Sequence, residues 1–147
     1  MLTLCFFAFN CKMSNRKSFS LSVEYYSPWT TPLKYYLTQN SITINGAKNV
    51  KNARIQNLYT RTLTKNESDS IYKLLRGLSY DTLKADYQNE NWFDGTTVIF
   101  KIRGQGLKSK KVLVYMCSTA ITDTLENLMQ SKVFNNRFKI ENFYKEE

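Results

Sequence analysis

The sequence contains no histidine, and this absence excludes several kinds of active site. Ser-His-Asp and Cys-His catalysis both need an imidazole, and so do the common zinc sites that use histidine. Cysteine is also scarce, since Cys5, Cys11 and Cys117 show no CxxC spacing. We therefore expect neither a redox dithiol nor a metal or other cofactor. Cys117 follows an apolar run, which predicts a buried structural thiol.

Glycine and proline are few as well, with 5 and 2 residues in a chain of 147. Such low numbers argue against a loop-dominated or low-complexity chain. The hydrophobic content of 42% and the aromatic content of 14% are far too high for a disordered chain. The length suits one hydrophobic core, so the sequence predicts a single folded domain.

Acidic residues are outnumbered, because 12 Asp and Glu stand against 21 Lys and Arg and give a formal net charge of +9. A basic chain attracts anionic partners in general. The basic residues here accompany no nucleic-acid-binding motif. We therefore do not expect nucleic acid as the partner, and the alternative for the basic groups is a solvated face.

The N-terminus combines an uncharged apolar run at residues 2–9 with Cys11, Lys12 and a polar stretch. The run is too short to span a bilayer but has the length of the apolar core of a signal peptide. This pattern resembles the end of a bacterial lipoprotein signal, and the FAFNCK segment resembles the looser form found in Bacteroidetes lipoproteins. The resemblance implies a truncated signal segment at 1–10, lipidation of Cys11 and a tether at 11–17.

Two localisations follow from the N-terminus. A lipid on Cys11 would anchor the domain to the membrane of the cell envelope, facing the periplasm or the cell surface. The residues also allow a first β-strand or an arm that packs on the core. Retention of residues 1–11 would correspond to a cytoplasmic protein.

Alternating apolar and polar residues predict several strands. The predicted ranges are 19–26, 33–37, 42–44, 53–63, 96–103 and 110–117. Gln39-Asn40, Asn45-Gly46 and the Gly104–Gly106 segment are predicted turns. In the strand at 53–63, Ile55, Tyr59 and Leu63 are expected on one side.

Two helices are predicted from periodicity and capping. Thr64 and Glu67 form a capping box ahead of a helix at 65–77. A second helix is expected from Thr119, with Leu125 and Met129 on its apolar face. In the tail, the apolar residues Phe134, Phe138, Ile140 and Phe143 alternate with polar residues, which predicts a closing strand or a docked coil.

This order of elements predicts an α+β domain at residues 18–147. We expect a curved antiparallel sheet of about five to seven strands with two helices packed on one face. The run from Asp94 to Met129 resembles small uncharacterised domains of secreted Bacteroidetes lipoproteins. That resemblance implies no catalytic residue at these positions.

Aromatic residues provide the candidate binding site. Tyr25, Tyr26, Trp29, Tyr35 and Tyr36 are clustered in the sequence, and alternation along a strand exposes some of these rings. Exposed Tyr and Trp are good anchors for a partner. The alternative is that Trp29 and the odd-numbered tyrosines fill the edge of the core. The predicted partner-binding residues are Trp29, Tyr26, Tyr36, Lys108 and Lys110.

Asp86, Glu90 and Asp94 recur at a spacing of four and are the alternative chemical site. Carboxylates can bind a hard cation or act as the acid and base of a hydrolase. No calcium-loop or glycosidase pattern surrounds them, so a solvated acidic loop is the preferred interpretation. We predict a non-enzymatic, envelope-tethered binding or inhibitory protein of the immunity-protein type, with a protein partner. The alternatives are a cytoplasmic nucleic-acid-associated protein and a carboxylate-dependent hydrolase.

Overall fold

The computed structural model describes residues 16–28, 30–47, 54–89 and 95–143. The strands within these ranges are β1 (Phe19–Tyr26), β2 (Leu33–Thr38), β3 (Ser41–Gly46), β4 (Gln56–Thr62), β5 (Asp86–Gln88), β6 (Thr97–Gly104) and β7 (Lys110–Tyr115). The helices are α1 (Lys65–Gly77), α2 (Ala120–Ser131) and the short α3 (Ile140–Phe143). The predicted signal segment and lipidated Cys11 lie outside the described residues.

The strands form one open sheet in the order β4-β3-β2-β1-β6-β7-β5. Every neighbouring pair is antiparallel except β5, which runs parallel to β7. The predicted α+β class, with two main helices and five to seven strands, is confirmed. The sheet is antiparallel except at its β5 edge, where backbone bonds from Leu113 to Ala85 and from Asn89 to Tyr115 hold β5 parallel to β7.

Alternation along the strands places one face of the sheet against the helices. Leu21 and Val23 of β1 are fully buried there, in the same hydrophobic core as Leu75 of α1 and Leu125 of α2. A fully buried side chain of this size contributes roughly 1.5–3 kcal/mol through its removal from water. The helices of the described ranges thus cover one face, and we call the opposite surface of the sheet the helix-free face.

Helix α1 begins and ends where the sequence predicts. The Thr64 hydroxyl accepts the backbone N–H of Glu67 at 3.2 Å, and the Glu67 carboxylate accepts the backbone N–H of Thr64 at 2.9 Å. These two bonds satisfy donors that the first turn of a helix leaves without an intrahelical partner. The capping box is therefore present as predicted.

Replacing Thr64 by alanine is expected to lower the free energy of unfolding by about 1 kcal/mol, because the cap bond to the first turn is lost. Urea denaturation followed by circular dichroism measures this change. Ser70→Ala is the matched control, since Ser70 is an exposed residue within the same helix. An equal loss in both variants would contradict the capping role.

The predicted turn at Asn45-Gly46 is wrong. Both residues belong to β3, and the register with β4 shifts between Ile44 and Asn45. Gly46 serves close packing instead of chain reversal: a Cβ at this position would lie 3.0 Å from Leu58 Cδ1. The Asn-Gly pair therefore marks a bulge in the β3–β4 pair.

The same bulge explains a second error. Ile55 was expected on the same side as Tyr59 and Leu63, but it is 63% exposed and lies before the start of β4. The register shift adds one residue on the β4 side, which changes the face that preceding residues present. Tyr59 and Leu63 do pack against the core, as predicted.

The expected burial of Cys117 is also wrong, because its thiol is exposed. Strand β7 ends at Tyr115, two residues earlier than predicted. Met116 then has a φ of 51°, in the left-handed region that few residues other than glycine adopt. The apolar run therefore leaves the sheet before it reaches Cys117.

Residues 134–143 of the tail do not form a closing strand. It forms a 3-10 turn at Asn136–Phe138 followed by α3, and Phe138 and Ile140 pack against the core. The docked alternative is thus the one observed. The Tyr35 hydroxyl, in the middle of β2, donates a hydrogen bond to the Phe138 carbonyl at 2.7 Å and fixes this segment to the sheet.

Candidate functional site

The helix-free face carries the polar residues of the strands at the centre of the sheet. Cross-strand pairing sets Glu24 of β1 beside Lys34 of β2, and Ser22 beside both Tyr36 and Lys101. Glu24 is only 5% exposed, although none of the described helices covers this side. A buried carboxylate needs compensation by charge and hydrogen bonds, and the neighbouring strands supply both.

Three side chains converge on this carboxylate, those of Lys34, Lys101 and Tyr26, and together with Glu24 we call them the Glu24 cluster. The Glu24 Oε1 atom lies 2.9 Å from Lys34 Nζ and 2.8 Å from Lys101 Nζ. The Tyr26 hydroxyl donates to Glu24 Oε2 at 3.0 Å. Because two ammonium groups share one carboxylate, the cluster carries a net positive charge.

The cluster shifts the pKa values of its acidic members. Burial alone would raise the pKa of Glu24, but hydrogen bonds from Lys101, Lys34 and Tyr26 outweigh it and lower that pKa to about 2. Burial also raises the pKa of Tyr26, and the adjacent Glu24 carboxylate adds to that rise. At neutral pH the carboxylate is therefore ionised while the phenol keeps its proton.

Two predicted binding residues, Tyr26 and Tyr36, lie on this face. Tyr26 is 43% exposed and Tyr36 is 39% exposed, whereas Tyr25 and Tyr35 are buried on the helix side. The alternation proposed for the odd-numbered tyrosines is thus confirmed. Lys34 Nζ lies 5.8 Å from the centre of the Tyr36 ring, so Tyr36 also borders the Glu24 cluster.

Trp29 lies outside the described residues. The other two predicted residues, Lys108 and Lys110, are placed apart from the tyrosines, near the β6–β7 turn. Lys108 Nζ lies 2.5 Å from an Asp81 carboxylate oxygen, and Lys110 Nζ donates to the Asp81 carbonyl at 3.2 Å. Lys110 pairs with Ile102, whose side chain is in the core, and therefore belongs to the helix side of the sheet.

The two lysines and Asp81 fasten the hairpin turn to the chain that follows α1. The hydrogen bond with Lys108 lowers the pKa of Asp81, and that with Asp81 raises the pKa of Lys108. Both side chains are well exposed, so we expect little stabilisation from the pair. The structure does not join these lysines to the tyrosines in one surface.

The cations that do accompany the tyrosines are others than Lys108 and Lys110. On β2, β1, β6 and β7 the helix-free face carries four cations and one carboxylate, Glu24: the cations are Lys34, Lys101, Arg103 and Lys111. Register places Lys111 beside Lys101 and Arg103 beside Ser20. The face is therefore basic along its central strands.

No family model, curated protein or solved structure matches this chain. No helix of the described ranges is long and apolar enough to cross a membrane. Of the three carboxylates considered for acid-base chemistry, only Asp86 is described, and its oxygen accepts a hydrogen bond from the Gln88 amide at 2.7 Å. The helix-free face combines exposed tyrosines, several cations and a buried carboxylate, and it is therefore the candidate functional surface.

Proposed function

We propose that this protein is a non-enzymatic binding or inhibitory domain whose helix-free face binds an acidic protein surface. One observation carries the proposal: Tyr26 and Tyr36 are exposed beside a net-positive, hydrogen-bonded cluster centred on Glu24. Tyrosine anchors supply contact area at low entropic cost, and adjacent cations select partners of opposite charge.

The Glu24 cluster orders the proposed surface before a partner arrives. A free lysine side chain loses up to about 2 kcal/mol of conformational entropy when it is immobilised. The contacts of Lys34 and Lys101 with Glu24 restrict these side chains in advance. The Tyr26 hydroxyl is held in the same way, so less ordering is needed on binding.

An envelope location forms part of the proposal and rests on the sequence pattern around Cys11. Strand β1 begins at Phe19, soon after the proposed tether. Eight residues of extended chain reach at most ~29 Å. A lipid on Cys11 would thus keep the sheet close to the membrane surface, where an inhibitor or immunity protein meets its target.

A nucleic-acid-associated role is the second candidate, and one specific observation favours it. Single-stranded nucleic acids bind to sheet surfaces that combine aromatic rings with cations. Tyr26, Tyr36 and the lysines of the helix-free face provide both groups. Glu24 lies at the centre of that surface, and a carboxylate there opposes the approach of phosphates, so an acidic protein is preferred.

The test compares capture by wild type and by a Tyr26→Ala/Tyr36→Ala variant from a native envelope fraction, with quantification by mass spectrometry. Recovery of the specific partner is expected to fall at least tenfold, because both anchors are removed. Ile55→Ala is the control, since Ile55 is 63% exposed outside the Glu24 cluster. Lys108→Gln examines the predicted contribution of the hairpin turn.

Binding of the purified partner is then measured by calorimetry with and without nuclease treatment. A partner of acidic composition, bound by wild type and Ile55→Ala alike, supports the proposal. Undiminished capture by the double tyrosine variant would refute the assigned face. Binding that disappears after nuclease treatment would transfer the assignment to nucleic acid.

A further inference from the structure

An open groove of about 370 Å³ lies at one end of the helix-free face, where β1, β2 and β6 meet. Its walls come from these strands and from the turn between β2 and β3. The lining residues that matter here are Arg103, Ser20, Tyr36, Thr38, Gln39 and Asn40. The groove is a separate feature from the Glu24 cluster, although Tyr36 borders both.

Arg103 is the distinctive residue of this groove. Within the described ranges its guanidinium forms no ion pair and no hydrogen bond. Lys34 and Lys101 on the same face are both paired with Glu24. Arg103 therefore has its full set of donors available, in a fork that matches a carboxylate.

Further donors lie within reach of the same space. Ser20 is the direct cross-strand partner of Arg103, and Thr38 is the partner of Ser20 on the other side. Directly opposite residues of neighbouring strands are only about 5 Å apart at their Cα atoms. The Ser20 and Tyr36 hydroxyls have no hydrogen-bond partner among the described residues, so both are available to a ligand.

The charges around the groove all favour an anion, because no carboxylate is among its lining residues. Two other open grooves differ in this respect. The groove beside α3 is lined by Glu126 and Glu141, and the groove below the β6–β7 turn contains Asp81, which is already paired with Lys108. Neither combines an unpaired arginine with acid-free walls.

Local contacts hold both ends of the groove in position. The Thr38 hydroxyl accepts N–H bonds from Asn40 and Ser41, each at 3.2 Å, and so fixes the β2–β3 turn. At the other end, a Cβ on Gly104 would lie 2.8 Å from the Ser18 carbonyl oxygen. Gly104 is thus required for the close approach of β6 to the start of β1.

We propose that this groove binds a carboxylate, namely an Asp or Glu side chain of the acidic partner. The inference rests on the proposed function and makes it more specific. Arg103 would bind both carboxylate oxygens, and the Ser20 and Tyr36 hydroxyls would complete the hydrogen-bond set. Charge-assisted, bidentate bonds of this kind are about twice as strong as neutral ones.

The test is an NMR titration of the full chain with a hexaglutamate peptide at low salt. The amides of Ser20, Thr38, Arg103 and Gly104 are expected to shift together and to saturate. Arg103→Gln is expected to weaken binding at least tenfold, and Arg103→Lys to restore only part of the loss, because a lysine cannot bind both oxygens. The spectra also report whether each variant remains folded.

Lys111→Gln is the matched control, since it removes one positive charge from the same face outside the groove. Less than a twofold change is expected for it. Equal weakening by Lys111→Gln and Arg103→Gln would overturn the proposal, because the peptide would then respond to overall charge alone. Shifts caused equally by a hexaglutamine peptide would overturn it as well.

Two further ligands separate the sources of an anion. If inorganic phosphate shifts and saturates the same amides and hexaglutamate does not, the carboxylate proposal is overturned and the ligand of the groove is a phosphate group. Hexauridylate that binds more tightly than hexaglutamate would favour nucleic acid. If hexaglutamate does not bind the groove but the double tyrosine variant still loses its partner, the groove is refuted and the binding face stands.

Discussion

Replacing Glu24 by glutamine is expected to lower the free energy of unfolding at pH 7 by about 2 kcal/mol, because Lys34 and Lys101 then lie close together without the carboxylate that both of them bind. The Glu24 side chain is 7% exposed, whereas those of Lys34 and Lys101 are 43% and 36% exposed. This partial solvation places the loss below that of a fully buried pair. Glutamine keeps the size of the side chain and an oxygen for Tyr26, so the change isolates the charge.

The same substitution is expected to change the response of stability to acid. The pKa of Glu24 is about 2 in the folded protein against an ordinary value of 4.5. A lowered folded-state pKa gives stability that is fully present above the unfolded value and lost as pH falls through the folded one. The difference between wild type and Glu24→Gln is thus constant at neutral pH and shrinks between pH 4.5 and about 2.

Urea denaturation at a series of pH values measures both effects. Asp69→Asn is the control, since Asp69 forms an exposed i,i+4 pair with Lys65 and is expected to change stability by less than about 0.5 kcal/mol. A difference between wild type and Glu24→Gln that stays the same down to pH 2 would contradict the assigned role of the carboxylate. The helix-free face would then owe its order to packing alone.

A second large loss, of about 2–3 kcal/mol, is expected for Arg61→Ala, because one side chain of β4 contacts both helical segments. Its guanidinium lies 3.0 Å from Glu67 Oε1 at the start of α1. Its Nε atom donates to the Lys132 carbonyl after α2 at 3.0 Å, and its Cζ lies 4.0 Å from the centre of the Phe134 ring. The alanine variant loses all three contacts.

The size of the loss follows from limited solvent access. The Arg61 and Glu67 side chains are 16% and 23% exposed, and the hydrogen bond from Arg61 is the main cause that lowers the pKa of Glu67 to about 2. Lys65→Ala serves as the control, because Lys65 is 63% exposed in its pair with Asp69. Thermal and urea denaturation compare the two variants.

Arg61→Lys separates charge from geometry. Lysine keeps the positive charge near Glu67 but cannot bond the Lys132 carbonyl at the same time, so about half of the loss is expected to remain. Hydrogen exchange at the end of α2 is expected to become faster in Arg61→Ala and to change little in the control. Equal stability of Arg61→Ala and Lys65→Ala would show that the edge strand and the helices are not coupled through this residue.

Sequence signals within an element were sufficient to predict the elements whose structure depends on their own residues, such as α1 and β1. The capping residue Thr64 and the apolar stripe predict α1 with its observed bounds, since both signals lie within the helix itself. The alternation in β1 predicts which tyrosine is buried and which is exposed. Strand β5 has no such signal: it is three residues long and largely exposed, and it joins the sheet by pairing with β7.

The errors share one physical cause, which is that tertiary contacts override local preference. Asn45-Gly46 favours a turn in isolation, but β4 pairs with these residues, and a Cβ at 46 would lie only 3.0 Å from Leu58 Cδ1 and 3.1 Å from Leu33 Cδ1. Cys117 follows an apolar run, but Met116 has a φ of 51° and its backbone N–H donates to the Thr96 carbonyl at 3.4 Å, so the chain leaves β7 before Cys117. Neither constraint is encoded in the neighbouring residues.

The candidate site was only partly predictable for the same reason. Tyr26 and Tyr36 were found because alternation identifies exposed aromatics. The convergence of Lys34 and Lys101 on Glu24 depends on strand register, and Lys101 lies far from Glu24 in the sequence. The available sequence signal was a single glutamate, Glu24, on the polar side of a strand rich in apolar residues. That signal does not predict which cations the glutamate binds, because the partners are set by the pairing of β1 with β2 and β6.

The position of β1 at the centre of the sheet has a consequence for how the chain is completed. Its partner β2 follows after a short connection, but its other partner, β6, comes about 80 residues later. At synthesis rates of 5–20 residues per second this delay is roughly 4–16 s, whereas hairpins form in microseconds. A chain emerging N-terminus first therefore leaves one backbone edge of its most buried strand unpaired for seconds, until β6 has been synthesised.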